Sequence, residues 1–328
     1  MAKKRNNRVK QITEAFIKAE NIVLLSHVSP DGDTIGSMLA LGLALEKMGK
    51  KVHYYNPDSV PGNLKFLPGA EQIKNCLPDS PPEMMVYIDC AEIGRAASPP
   101  AEYHNVVTVN IDHHISNTYY GSLNYVEPGA AATGEIVYQL LRKLSVTITK
   151  EIAINLYTGI VTDTGRFSYG NTTPKSLKIA SELVKIGIDL VILNDTLFEQ
   201  KTLPQIRLFQ RALNSLEILN QGKVALLTLT KADFRETEAE ASLSDGFVNY
   251  ARNIDHVEAA VLLKEYSESE VKVSFRSNEW LDVNKIAHKL GGGGHVRASG
   301  CTLHDSLPIV KKQVLTVLEE ALKLGRNR

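Results

Sequence analysis

Residues 22–48 read IVLLSHVSPDGDTIGSMLALGLALEKM, and this stretch decides the fold. Ile22–Leu25 is a continuous apolar run, as a strand buried on both faces of a sheet requires. A polar, kinked segment, HVSPDGD, separates it from Thr34–Met48, whose apolar residues recur at helical spacing. Outward from there the alternation continues with strand-like Val52–Tyr55, Met84–Asp89 and Val106–Ile111. Strands alternating with helices build a parallel sheet covered by helices, so the fold class is α/β with an N-terminal Rossmann-like lobe. Ala131–Leu144, Lys150–Val161 and Pro174–Gly187 carry helical spacing, with Pro174 at a first helical turn. From Leu190 to Leu219 the pattern is helical without a strand, and Pro204 interrupts it, as in a connector. Beyond it come β runs Lys223–Leu229, Glu258–Lys264 and Val271–Phe275, a helix over Val283–Leu290, glycines 291–294 and an amphipathic tail Lys311–Leu324. The expected domains are 1–189, a helical connector 190–219, and a smaller α/β domain 220–328.

At 328 residues and 43% hydrophobic, the chain suits two domains better than one. Lys plus Arg (37) equals Asp plus Glu (37), so no global positive field exists to hold a long nucleic acid, and any such substrate is short. Cys76, Cys90 and Cys301 are an odd set without CxxC spacing, which argues against a disulfide framework and a structural zinc. A cytoplasmic, reducing setting follows. The basic start Met1–Lys10 lacks a following apolar segment, and Met38–Leu45 is too short to span a bilayer, so no membrane partner is expected.

The chemistry lies at strand ends, where parallel α/β sheets bind ligands. His27, Asp31 and Asp33 follow the first strand, Asp89 ends the third, and Asp112-His113-His114 ends the fourth. Taken singly, an Asp-Gly turn or an acid near a helix start is ordinary. Recurrence at three strand ends, with Asp163 in TDTGRF, changes the balance. Carboxylates with imidazoles and no thiolate favour manganese, iron, cobalt or zinc over magnesium or calcium, and manganese is the first choice. A pair of dications relieves the repulsion among so many carboxylates and suits phosphoryl transfer. Gly291, Gly292, Gly293 and Gly294 can turn backbone N–H groups toward an anion, with His295 as a further donor, although a hinge or helix cap is the commoner use. Arg166 and Arg276 are candidates for a terminal phosphate. His53, His104, His256, His288 and His304 are scattered and carry no role, and no GxGxxG or P-loop is present.

The motifs HVSPDGD, YIDCAE, NIDHHIS and TDTGRF, in this order, resemble those of the DHH phosphoesterase family, and GGGGHVRASG (residues 291–300) resembles its associated C-terminal domain. The resemblance implies that His27 and Asp31 bind one cation and that Asp33, His113 and Asp163 bind another. Asp89 would bridge the two. Asp112 would stand behind the ligands, orienting His113, and His114 would contact substrate phosphate. Asp89 and His114 are the implied catalytic residues; His114, Arg166, Arg276, Gly291–Gly294 and His295 the implied substrate-binding ones. The site is expected in the cleft between the lobes. The layout is similar to family members that hydrolyse short oligoribonucleotides (nanoRNA) and remove the 3′-phosphate of 3′-phosphoadenosine 5′-phosphate (pAp). Alternatives are a cyclic di-AMP/pApA phosphodiesterase, an exopolyphosphatase and a silent nucleotide-binding regulator. The oligomeric state, a homodimer included, stays open.

Overall fold

Asp31 decides where the first long helix begins: its carboxylate accepts from Thr34 N at 3.0 Å, satisfying an N–H with no partner inside the helix. The helix therefore starts at Gly32, two residues before the sequence pattern suggests, and Asp33 lies inside its first turn. The computed structural model describes residues 6–7, 9–96, 100, 103 and 106–325, with only the backbone at 324 and 325. His104, with residues 1–5 and 8 of the basic start, lies outside the described residues. The chain forms two compact units, Met1–Gln200 and Lys201–Arg328.

In the first unit α1 (Val9–Lys18) leads to β1 (Asn21–Ser26), α2 (Gly32–Lys47), β2 (Lys51–Tyr55), β3 (Met84–Ile88), β4 (Val107–Asp112) and β5 (Leu123–Val126). These are followed by α3 (Thr133–Lys143), α4 (Lys150–Asp163), α5 (Pro174–Lys185) and α6 (Leu190–Asn194). All strand pairs are parallel, in the order β2-β1-β3-β4-β5. The order reverses between β1 and β3, so connections leave their carboxyl ends in opposite directions and open a crevice there. Both faces are covered: Leu24, Ile35, Leu39, Val86 and Leu156 share one core, and Val23, Leu25, Met85 and Tyr87 another. Each fully buried aliphatic side chain contributes roughly 1.5–3 kcal/mol.

Two departures from the sequence pattern matter. The fifth strand, LNYV, was not expected; its alternation is masked by Asn124, whose amide bonds Gly121 O at 2.8 Å, and its edge is covered where Asn7 N donates to Asn124 O at 2.8 Å. Helix α4 runs two residues beyond Val161, so Asp163 is its last residue rather than part of the following turn.

Helices α2 and α4 approach closely because of glycine. A Cβ at Gly36 would stand 2.4 Å from Asn155 O, and one at Gly159 would stand 2.8 Å from Asp33 Oδ1. Gly36→Ala is therefore expected to cost about 1–3 kcal/mol by forcing the helices apart. Urea unfolding measures this, and an unchanged midpoint would show that the contact is soft.

The second unit comprises α7 (Leu203–Asn214), β6 (Glu217–Leu219), β7 (Val224–Leu229), α8 (Lys231–Thr237), α9 (Phe247–Arg252), β8 (Ala259–Ser267) and β9 (Glu270–Ser277). It ends with α10 (Val283–Lys289), β10 (Gly293–His295), β11 (Ala298–Leu303) and α11 (Leu307–Gly325). Pro204 does not interrupt a helix; it sits in the first turn of α7, where its missing N–H costs nothing. Glu217–Leu219 is a strand where the pattern suggested only helix, because three residues are too few to display a period. The sheet order is β10-β11-β9-β8-β7-β6, with only β7 and β8 parallel. One face packs Val224, Val261 and Phe275 against residues of α10 and α11, and the other packs Ala225, Leu227 and Leu262 against α7 and α9. No helix among the described residues is long and apolar enough to cross a membrane.

Candidate metal centre

His27 follows β1 directly, and its Nδ1 lies 2.7 Å from Val28 O. A carbonyl only accepts, so Nδ1 carries a proton and Nε2 is turned inward, 3.6 Å from Asp89 Oδ2. Burial opposes protonation of the whole ring, but the carboxylates of Asp89 and Asp31 outweigh it and raise its pKa. Nε2 also lies 2.5 Å from Thr34 Oγ1.

Asp89 stands one residue past β3 with φ +55, a left-handed conformation costly for a residue with a Cβ. The next carbonyl, Cys90 O, accepts from Asn110 Nδ2 and Tyr120 OH, each at 3.0 Å, which holds the turn. The carboxylate is clamped by two hydroxyls: Thr34 Oγ1 donates to Oδ2 at 2.7 Å and Thr133 Oγ1 to Oδ1 at 2.9 Å. Beyond these, Oδ2 faces His27 at 3.6 Å, and Oδ1 faces His113 and His114 at 3.6 Å each. One lone pair on each oxygen is thus taken by a threonine and the other is turned toward imidazole.

Asp33 is buried at the start of α2, and the first turn of α3 points its N–H groups at it: Thr133 N at 2.6 Å to Oδ2 and Gly134 N at 2.9 Å to Oδ1. Ser37 Oγ adds a bond at 2.9 Å. His113 donates Nδ1–H to Ala130 O at 3.3 Å, leaving Nε2 3.6 Å from Asp163 Oδ2 and 4.0 Å from Asp33 Oδ2. Burial, with the charges of Asp89, Asp163 and Asp31, holds the Asp33 pKa well above the carboxylate range despite the Gly134 N–H. Burial likewise pushes Asp163 up to about 7, with His113 opposing and Asp89 adding to the rise. Asp89 alone is held down, its burial outweighed by the hydrogen bond and charge of His27 and by His113 and His114.

Among the described residues, three groups of side chains could each hold a metal ion, their ligand atoms within 4.8 Å of one another: His27, Asp31 and Asp89; Asp33, His113 and Asp163; and Asp89, His113 and His114. The donor set fits a divalent cation. Separations of 3.6 Å are too long for hydrogen bonds yet suit two ligands each about 2.1 Å from one ion, and both ring tautomers leave Nε2 available. A dication also relieves the mutual repulsion that raises the Asp33 and Asp163 pKa values.

Asp112 corrects one expectation. Its Oδ1 accepts from His114 Nδ1 at 2.6 Å and from the backbone N of His113 at 2.8 Å, and its Oδ2 accepts from Asn117 Nδ2. The ring it orients is that of His114; Ala130 O orients His113. Burial works against the imidazolium of His114, but the Asp112 bond and the charges of Asp89, Asp112 and Asp163 hold its pKa up to about 9.

Arg166 Nη1 pairs with Glu199 Oε1 at 2.7 Å on the surface, with the guanidinium over Phe198, so in this structure its charge is turned to a carboxylate. Gly291 (φ +77) and Gly292 finish α10: their N–H groups donate to His288 O at 3.1 Å and Ala287 O at 2.8 Å, a Schellman cap. Of the glycine run, only Gly293 and Gly294 continue into β10 with His295. His295 pairs with Ala298, and Ala298 with Arg276, so the histidine and arginine flank a small residue in one row of the sheet. Sequence reasoning missed Thr34 and Thr133, which bond a carboxylate far along the chain, and Ser37 and Asn117, which bond nearby acids, because a hydroxyl or amide carries no pattern that marks it as a carboxylate partner.

The sequence profile described as the DHH family, N-terminal domain, matches residues 21–160, and that of the DHHA1 domain matches residues 221–324. The chain is 38% identical to the bifunctional oligoribonuclease and PAP phosphatase NrnA of Thermus thermophilus, over 92% of this chain and 90% of the relative. Identity to the protein of the same name from Bacillus subtilis is 29%, over 87% and 90%. The crystal structure of an exopolyphosphatase-related protein from Bacteroides fragilis superposes with a TM-score of 0.86 at 29% identity, covering 96% of this chain and 95% of that one.

Proposed function

This chain belongs to the DHH family, and from that premise we propose that it is a metal-dependent phosphoesterase hydrolysing short oligoribonucleotides to mononucleotides and removing the 3′-phosphate of pAp. The observation that carries the reading is the trio of buried Asp33 and Asp89 with half-buried Asp163, the last residue of α4, facing His27 and His113 at 3.6–4.0 Å beside the carboxyl ends of β1, β3 and β4. The names of the relatives from T. thermophilus and B. subtilis supply the substrate class.

In this proposal His27 and Asp31 would hold one cation, Asp33, His113 and Asp163 a second, and Asp89 would be shared between them. Manganese suits the mixed oxygen and nitrogen donors. When bound, such a pair supplies a water activated near neutral pH and neutralises charge on the phosphoryl oxygens. The chain's own part is to place groups. Thr34 and Thr133 fix the plane of the Asp89 carboxylate. Asp112 holds His114 by Nδ1, so that Nε2 can meet charge building on a phosphoryl oxygen. His295, Arg276 and the N–H groups of Gly293 and Gly294 are assigned to a terminal phosphate of the substrate, with Arg166, Gly291 and Gly292 in supporting positions. The three free cysteines accord with a cytoplasmic setting.

The test is hydrolysis by metal-stripped protein, with and without added manganese, of pAp, a two- to five-nucleotide RNA, a long RNA, cyclic di-AMP and polyphosphate in parallel. Manganese-dependent loss of pAp and short RNA is expected. Selective cleavage of cyclic di-AMP or of polyphosphate would replace the substrate, and no turnover on any of them would leave a nucleotide-binding regulator.

A further inference from the structure

Arg95 closes the short 3₁₀ turn Ile93–Arg95 that follows Asp89. Its backbone carbonyl accepts from Val28 N at 2.7 Å, which anchors the residue beside the His27 loop. Its Nη2 lies 3.4 Å from His27 Nδ1. Because Nδ1 is already spent as a donor to Val28 O, it has no lone pair for the guanidinium, and the contact is one of proximity. Among the described residues the Arg95 guanidinium has no carboxylate ion-pair partner. Arg166, by contrast, is paired with Glu199, and Arg276 Nη1 donates to Phe275 O at 2.9 Å.

Arg95 is exposed and anchored through its backbone, and a guanidinium beside a residue that would ligate a dication is repelled by that ion unless an anion lies between them. A phosphate group satisfies both, since its non-bridging oxygens match the paired N–H groups of a guanidinium. We propose that Arg95 is a substrate-binding residue, gripping the non-bridging oxygens of the phosphate to be cleaved on the His27 side of the centre. The proposal rests on the phosphoesterase reading and adds to it a residue in the first unit that neither the motifs nor the family pattern singled out.

The test uses full-length, manganese-loaded protein carrying Arg95→Ala or Arg95→Lys. Loss of a charge-assisted, paired hydrogen bond is expected to raise KM for pAp and short RNA about 10- to 100-fold in Arg95→Ala, with manganese affinity by titration unchanged. Arg95→Lys, which keeps the charge and loses the fork, is expected to fall between. Calorimetric binding of inorganic phosphate to the loaded protein gives a readout independent of turnover, and Arg95→Ala is expected to weaken it about tenfold or more. Wild-type KM and phosphate affinity in Arg95→Ala would overturn the proposal, as would a KM change matched by an equal loss of manganese affinity, which would mean that Arg95 acts only through His27. If the wild-type protein cleaves neither pAp nor RNA, the functional reading falls, and the phosphate titrations alone decide the role of Arg95.

Discussion

Replacing Asp89 by Asn is expected to lower kcat at least about 1,000-fold, because several kcal/mol of charge stabilisation disappear and each 1.36 kcal/mol is tenfold in rate. Both oxygens of Asp89 are engaged alike, each with one threonine hydroxyl and at least one imidazole 3.6 Å away. An amide keeps one acceptor and turns N–H donors toward the other side, so one of the two proposed cations would lose its ligand. The hydroxyl of Thr34 or Thr133 can rotate to accept from that amide, and the fold should survive. Circular dichroism and steady-state kinetics on the same preparation check this. A folded Asp89→Asn protein with wild-type turnover would remove Asp89 from the bridging position.

Cation loading is expected to release protons and to weaken steeply as the pH falls. The Asp163 carboxyl, pushed up to about 7 by burial, is largely protonated below neutrality when no cation is bound, and burial shifts Asp33 in the same direction. A cation must displace those protons, so the apparent affinity falls by up to about tenfold per pH unit for each proton displaced and levels off above the raised pKa values. Manganese titrations at about pH 6 and about pH 8, in buffers of different ionisation enthalpy, count the protons directly. Equal affinity at both, with none released, would mean that these carboxyls are not the ligands. Saturating manganese should also raise the unfolding temperature, since ligand at a thousandfold excess over Kd adds about 4 kcal/mol, and a chelator should reverse the gain.

Much of the first unit was legible because β1 and β3 are unbroken apolar runs, and the acids that end them announce a site at the sheet's carboxyl edge. LNYV was hidden, since its polar residues serve a turn and an edge rather than a face. Within the centre, ligand types could be read from strand ends, whereas Thr133 could not: it lies 44 residues from the carboxylate it bonds. The pairing of Asp112 with His114 rather than His113 was hidden because both histidines lie beyond Asp112, the last residue of β4, where strand alternation no longer sets which side a residue faces. The glycine run is a second such case. Four identical residues give no hint that the first two finish a helix while the rest enter a strand.

The unequal depth at which the chain supplies its acids has a consequence for biosynthesis. A ribosome delivers the N-terminus first, so His27, Asp31 and Asp89, with all five strands through Val126, emerge before Asp163 has been made. A nascent chain can assemble the sheet and one ligand trio, but the other stays open until α4 arrives and Asn155 settles against Gly36. The seating of two helices over a missing side chain is then the event that would complete the proposed cation site.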